Sequence, residues 1–263
     1  MISVVTYLLA VFAGAIQGLT EFLPISSTGH LILFEKIFGI SQDRFGLAFD
    51  ASLHLGTLLA IVIFFFKDYL KILNLSNRLL VKLAIGIIPA VFFGVLFQRQ
   101  IDTSLRQTWI VAAAFIAFSA VLVVAEKFGK KMQDKESVTL KDSLFIGLFQ
   151  ALALIPGISR SGATISAGLF AGLKRQEAAK FAFILSGPVI FGAGITEFLG
   201  VVKKGGIAGG ELNFFLIGIL SSAVFGYLTI KYFLRYLSTR TLYPFVIYRV
   251  IVGLLLLGSC IKF

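Results

Sequence analysis

Residues 17–30 read Gln17-Gly-Leu-Thr-Glu21-Phe-Leu-Pro24-Ile-Ser26-Ser27-Thr28-Gly29-His30, and residues 150–164 answer them as Gln150-Ala-Leu-Ala-Leu-Ile-Pro156-Gly157-Ile-Ser159-Arg160-Ser161-Gly162-Ala-Thr164. The match runs without a gap at an offset of 133, pairing Phe12 with Phe145, Gly14 with Gly147, Gln17 with Gln150, Ser26 with Ser159 and Gly29 with Gly162. Each copy is a short apolar helix that breaks at a proline and serine-rich tip and then becomes apolar again. A bilayer span needs roughly 20 residues, so limbs of about half that length predict two re-entrant hairpins, over about 4–40 and 143–173.

Composition sets the medium. Hydrophobic residues make up 58% of the 263 positions and charged residues only 14%, with a mean hydropathy of +0.96. That excludes a soluble domain, and the lack of period-2 alternation excludes an outer-membrane barrel. The expected fold class is therefore an all-α integral membrane protein. The single cysteine, Cys260, leaves no internal disulfide to form. No basic segment precedes the first apolar run and no small-residue cleavage site follows it, so no removed signal peptide is expected. A net charge of +11 raises the question of nucleic acid, but no basic stripe interleaves with aromatics, and no nucleic-acid partner is expected.

Apolar runs near 48–66, 82–97 and 109–125 follow the first hairpin, and runs near 181–201, 213–233 and 243–261 follow the second. One hairpin plus three spans per half inserts the second half upside down, an inverted-topology repeat. The expected organisation is a first repeat over 1–125, a charged solvated linker over 126–142 and a second repeat over 143–263. Segments 67–82, 127–141, 174–180 and 231–240 carry 15 Lys and Arg, while 36–44, 99–106, 203–204 and 262 carry 7. The basic set marks the cytoplasm, which turns the mouth of the first hairpin outward.

Ionisable groups at membrane depth cost about 3 kcal/mol each and ask for a use. Gln17 and Glu21 share one helix face, and a carboxylate there can hold a divalent cation or take a proton. Ser26 and Ser27 follow Pro24, with His30 three and four residues on, a spacing that can bring a hydroxyl to a general base. In the second tip, glycines expose backbone N–H groups, a helix N-terminus follows, Ser159, Ser161 and Thr164 donate, and Arg160 offers a fork for phosphate oxygens. Together the tips predict a phosphoryl-transfer site, with nucleophile and base from one hairpin and the anion clamp from the other. Asp50 and His54, four apart, could pair with each other and read as supporting or packing residues rather than catalytic ones. Arg249 reads equally as a second anion contact or a snorkelled anchor. The rival class is a transporter or lipid flippase, since inverted repeats with broken helices also build transport sites.

These tips resemble the signatures of the undecaprenyl pyrophosphate phosphatase family, membrane enzymes linked to bacitracin resistance. The first signature is Glu or Gln, Glu four residues later, then Pro-x-Ser-Ser-x-Gly-His, here Gln17, Glu21 and residues 24–30. The second, Pro-Gly-x-Ser-Arg-Ser-Gly-x-Thr, stands whole at 156–164. The likeness covers essentially the whole chain. It implies removal of the terminal phosphate of a polyprenyl pyrophosphate, which recycles the lipid carrier for cell-wall synthesis, with Mg²⁺ or Ca²⁺ required. It also implies a bacterial plasma-membrane location with the site open to the outer side. Glu21, Ser27, His30 and Arg160 become the expected catalytic residues, with Gln17, Ser26, Ser159, Ser161 and Thr164 as substrate-binding support. Glu21 is the expected metal ligand, because the amide at Gln17 leaves it the only carboxylate of that pair. Either Ser27 attacks phosphorus with His30 as base, or His30 activates a water. The lipid tail is expected in an apolar groove where Gly187, Gly192 and Gly194 leave room. Oligomeric state is left open, a homodimer included.

Overall fold

A computed structural model describes residues 4–38, 46–72, 78–203 and 212–261. Arg44, Lys204 and Lys262, and the far end of the first hairpin near residue 40, lie outside the described residues. Twelve α-helices form among those described, and no strand: α1 (Val4–Phe22), α2 (Ser27–Phe38), α3 (Gly46–Phe64), α4 (Phe66–Ile72), α5 (Leu79–Leu96), α6 (Gln98–Asp102), α7 (Thr108–Phe128), α8 (Leu140–Leu152), α9 (Arg160–Phe170), α10 (Arg175–Lys203), α11 (Leu212–Leu237) and α12 (Tyr243–Ile261). Five are long and apolar enough to cross a membrane, within α1, α5, α7, α10 and α11; α3 and α12 contribute shorter apolar stretches.

The helices break where the sequence places the tips, since Pro24 and Pro156 cannot supply the N–H that would continue the ladder. The helices flanking the breaks other than α1 are short: α2, α8 and α9 have 12, 13 and 11 residues. The first limb differs from expectation, because α1 has 19 residues and is long enough by length and composition to span. Helix α10 begins at Arg175, six residues before its apolar run. Hydropathy marks only the hydrocarbon part of a helix, and the polar opening turns carry Glu177 and Lys180, which pair at 2.7 Å. Pro89 and Pro188 are accommodated inside α5 and α10, as membrane helices allow.

The outer surface is apolar. Val5, Leu8 and Phe12 on α1, Val91, Phe92 and Val95 on α5, Leu216, Leu220 and Val224 on α11, and Ile251, Leu254 and Leu255 on α12 are all exposed, an area no soluble monomer presents. Association between helices in lipid depends on close packing by small residues and on interhelical hydrogen bonds. Helix α11 shows both. A Cβ on Gly18 of α1 would lie 2.6 Å from Gly226 N and from Ser222 O, so only glycine lets these backbones meet. The Ser221 hydroxyl donates to Val11 O at 2.7 Å, and Ser222 donates to Leu53 O of α3 at 2.8 Å. Helices α5 and α8 pack the same way, with Gly147 against the Gly86 backbone and the Ser143 hydroxyl donating to Lys82 O.

Helix α9 is the centre of the molecule, with residues 161–169 all buried. It is closed in by α1, α7, α8 and α10, and its small side chains admit those neighbours.

At one end the basic segments meet. Glu126, expected at the start of a solvated linker, is instead buried. It accepts from Arg175 Nε at 2.9 and 3.1 Å, pairs with Lys131 at 3.0 Å and accepts Leu242 N–H at 3.3 Å. Residue 133 bridges 173, and Lys135 reaches Asp68 at 3.4 Å. Lys174 pairs with Asp134 at 2.9 Å, and this hydrogen bond raises the lysine's pKa. Segments near 68, 126–137, 173–175 and 242 therefore share one face.

Candidate active site

The two tips are built alike at the backbone. Ser26 and Ser159 are equivalent in the repeat, and both have positive φ, 70° and 78°. A non-glycine residue held there costs on the order of 1–3 kcal/mol, and such outliers gather at functional sites. The conformations are held by what they satisfy. Ser26 O accepts from the His30 ring and, at 3.4 Å, from the His30 N–H. Ser159 Oγ accepts Gly162 N–H at 3.1 Å, capping α9. Gly157 (φ 99°) lies against Val111 and Ala114 of α7.

Arg249 locks the tips together. It is fully buried and donates to Pro24 O of the first tip at 3.2 Å and to Gly157 O of the second at 2.9 Å. It also donates to Ala114 O, Phe115 O and Ser119 Oγ of α7, each at 3.3 Å, and stacks over Phe115 at 5.1 Å. Five oxygens replace water around this charge, so it is neither a snorkelled anchor nor an open anion contact. Ser161 adds a second tie, donating to Leu23 O at 2.8 Å.

Between the tips lies a cavity of about 330 Å³, within the range of ligand sites. Glu21, Ser26, Ser27 and Thr28 line it from the first tip and Ser159 and Arg160 from the second, joined by Gln150, by Asp50 and His54 of α3, by Val189, Ile190, Ala193 and Gly194 of α10, and by Ile101 and Arg106. Glu21 is its hub. One carboxylate oxygen pairs with Arg160 across the two tips. The other accepts from Ser27 Oγ at 2.6 Å and from Gln17 Nε2 at 2.9 Å. Gln17 Nε2 also meets His54 Nδ1 at 2.8 Å; an amide N–H can only donate, so His54 carries its proton on Nε2.

His30 lies elsewhere. Its Nδ1 is 2.7 Å from Ser26 O and its Nε2 is 2.7 Å from the Tyr248 hydroxyl, with the ring stacked on Tyr248 at 5.6 Å. A carbonyl only accepts, so Nδ1 bears the proton and neither nitrogen is available to Ser27. The serine's short side chain turns into the break toward Glu21, while the imidazole folds back over the preceding turn. Spacing put His30 beside Ser27, but orientation puts Glu21 there.

The other sequence candidates divide. Ser26 and Ser159 line the cavity, whereas Gln17 stands behind Glu21. Ser161 is used in the tie between tips, and Thr164 donates to Arg160 O at 2.8 Å within its own helix. Asp50 and His54 do not pair: His54 bonds Gln17, and Asp50 faces Glu35 and Arg106. Of the glycines, Gly194 lines the cavity, Gly192 is open, and Gly187 is covered by Tyr69, whose hydroxyl donates to Ile184 O at 2.9 Å. Sequence reasoning gave His54 only a supporting or packing role and passed over Arg106. A histidine on an apolar helix face was the available signal for the first, while Arg106 looked like one more loop charge.

The family model for bacitracin resistance protein BacA matches residues 10–255. The undecaprenyl-diphosphatase of Rubrobacter xylanophilus is 42% identical over 254 residues, covering 91% of this chain and 93% of its own. That of Thermodesulfovibrio yellowstonii is 43% identical over 240 residues, covering 91% and 92%. That of Chloroherpeton thalassium is 40% identical over 270 residues, covering 95% of each.

Proposed function

The chain belongs to the bacitracin resistance protein BacA family, and from that premise we propose that it is an undecaprenyl-diphosphatase. It hydrolyses the terminal phosphate of undecaprenyl pyrophosphate, which recycles the lipid carrier for cell-wall synthesis and confers bacitracin resistance. One observation carries the reading. A serine hydroxyl donates to a buried carboxylate that is itself paired with an arginine from the other tip. A transport site has no use for such a nucleophile.

In the reaction Glu21, not His30, is the base. Ser27 Oγ bonds to the terminal phosphorus as the anhydride P–O bond breaks, its proton passes to Glu21, and the electron pair leaves on the lipid monophosphate. Protonation of Glu21 removes the partner that holds Arg160, freeing the guanidinium for the equatorial phosphate oxygens as their charge rearranges. Water then bonds to phosphorus as the Oγ–P bond breaks, Glu21 returns the proton to Ser27, and inorganic phosphate leaves carrying the water oxygen and its protons. Gln17 and His54 orient the carboxylate, Ser26, Ser159 and the tip N–H groups line the phosphate pocket, and Ser161, Thr164 and His30 hold the tips in shape.

A divalent cation, Mg²⁺ or Ca²⁺, fits as an ion arriving on the diphosphate. Among the described residues no three His, Cys, Asp or Glu side chains converge to hold a metal alone. The cavity walls offer the Glu21 and Asp50 carboxylates and the Gln150 Oε1, which is buried and lacks a hydrogen-bond partner. That suits an ion held by one or two carboxylates plus phosphate oxygens. Glu21 would be its main protein ligand, and the ion would supply neutralising charge.

The chain sits in the bacterial plasma membrane as an inverted repeat, 1–125 and 143–263 joined through 126–142, with re-entrant hairpins at the tips. Support comes from the paired backbone outliers at Ser26 and Ser159 and from Gly14 packing on α11 as its equivalent Gly147 packs on α5. The basic segments share one end, which is the cytoplasmic one. The cavity takes Ile101 and Arg106 from a segment of the less basic face, so it opens outward. A cysteine introduced at Lys130 is expected to stay unlabelled by an impermeant thiol reagent on intact cells; labelling would overturn this orientation.

The function is tested by incubating the detergent-purified protein with undecaprenyl pyrophosphate, with and without chelator. Release of one phosphate per lipid, lost on chelation and restored by Mg²⁺ or Ca²⁺, is expected. A folded, lipid-binding protein that releases none would make the transporter the better reading.

A further inference from the structure

Two guanidiniums line the cavity, and they are in opposite states. Arg160 is paired with Glu21. Arg106, half-buried in the 3-10 turn Ser104–Arg106 just before α7, has an Nη1 shielded from solvent with no hydrogen-bond partner. Asp50 and Arg106 line the same cavity, yet no ion pair within 4.0 Å joins Arg106 to a carboxylate among the described residues. A buried, unpaired N–H of a charged group is costly, and an arginine with a purely structural role would have closed that pair. His54 lines the same cavity as both guanidiniums.

We propose that Arg106 is the second anion-binding arm of the cavity, contacting the phosphate that stays on the lipid while Arg160 takes the one that leaves. The proposal rests on the phosphatase reading and names what that site selects: a diphosphate, whose two groups are held by two separate forks, over a monophosphate, which can engage only one. Arg106 stands on the segment that enters from the less basic face, the side from which the cavity is reached, while Ser27, Glu21 and Arg160 stand at the tips. A lipid diphosphate entering from that side presents its terminal phosphate to the tips and leaves the inner one beside Arg106. The planar fork matters as well as the charge, since two phosphate oxygens are met in parallel. Arg106 is thus a specificity residue for the diphosphate, and Ser27 remains the group that attacks.

The test compares wild type, Arg106→Ala and Arg106→Lys in detergent, measuring phosphate release against undecaprenyl pyrophosphate concentration, and in parallel the rise in thermal unfolding midpoint on adding inorganic pyrophosphate. Arg106→Ala is expected to raise KM by about 10- to 100-fold, the value of a charge-assisted contact. The change should fall on KM more than on kcat, pyrophosphate protection should be lost, and lysine should recover part of both. If the alanine variant does not fold, the lysine variant alone decides, with KM at least about threefold above wild type expected. A KM for a folded Arg106→Ala within twofold of wild type, or undiminished pyrophosphate protection, would overturn the proposal. A wild type that releases no phosphate but is protected by pyrophosphate only when Arg106 is present would reject the phosphatase and keep the anion site.

Discussion

Arg160→Ala is expected to lower phosphate release by about 10³-fold or more while the protein still folds. The arginine is asked to do two things. In the resting site it neutralises Glu21, a carboxylate that is 7% exposed and would otherwise sit buried without a countercharge. In the reaction it stabilises charge on the transferring phosphoryl group, a role for which a correctly placed arginine contributes about 10³- to 10⁵-fold. Loss of one partner from a buried pair also costs about 3–5 kcal/mol of stability, so activity must be read on protein shown to be folded. The double variant Arg160→Ala with Glu21→Gln separates the effects, because it removes the orphaned charge. It is expected to regain unfolding temperature while regaining no turnover. Arg160→Lys should recover stability but only a small part of the rate, since an ammonium lacks the bidentate fork. An Arg160→Ala enzyme within tenfold of wild-type kcat would remove this arginine from the mechanism.

The second large effect belongs to Ser27. If its hydroxyl attacks phosphorus with Glu21 as base, Ser27→Ala removes the nucleophile, and turnover should fall by about 10⁴-fold, the top of the 10²- to 10⁴-fold range usually supplied by a general base alone. The step also leaves a mark. With radiolabel in the terminal phosphate, acid quench during turnover should trap label on the wild-type chain and none on Ser27→Ala. Glu21→Gln should lose both turnover and label, because the amide cannot take the proton. His30→Gln is expected to fall far less, since the imidazole bonds Ser26 O and Tyr248 rather than Ser27. Near-normal turnover in Ser27→Ala would end the covalent route, and a His30→Gln loss as deep as that of Glu21→Gln would return the base to the imidazole.

Both expectations depend on contacts that spacing alone does not reveal. The repeat at offset 133, the prolines and the paired serines made the two breaks legible, because chain breaks are local events governed by residues at the break itself. Hydropathy located the apolar helices for the same reason, but it missed the polar first turn of α10, which lies outside hydrocarbon. Helix α1 is longer than half a span because the break at Pro24 lies after a full 19-residue helix rather than in the middle of one.

From sequence alone, then, came the membrane setting, the two tips and the family. Tertiary structure decided which polar residues face one another. Glu21 rather than His30 receives the Ser27 hydrogen bond, Arg249 binds the tips instead of a ligand, and His54 and Arg106 turn into the cavity. The physical reason is direction. At a break where Ser26 and Ser159 adopt left-handed φ, the helical spacing rule no longer says where a side chain points. Contacts between residues 21 and 160, or between 249 and both tips, exist only once separate helices have packed.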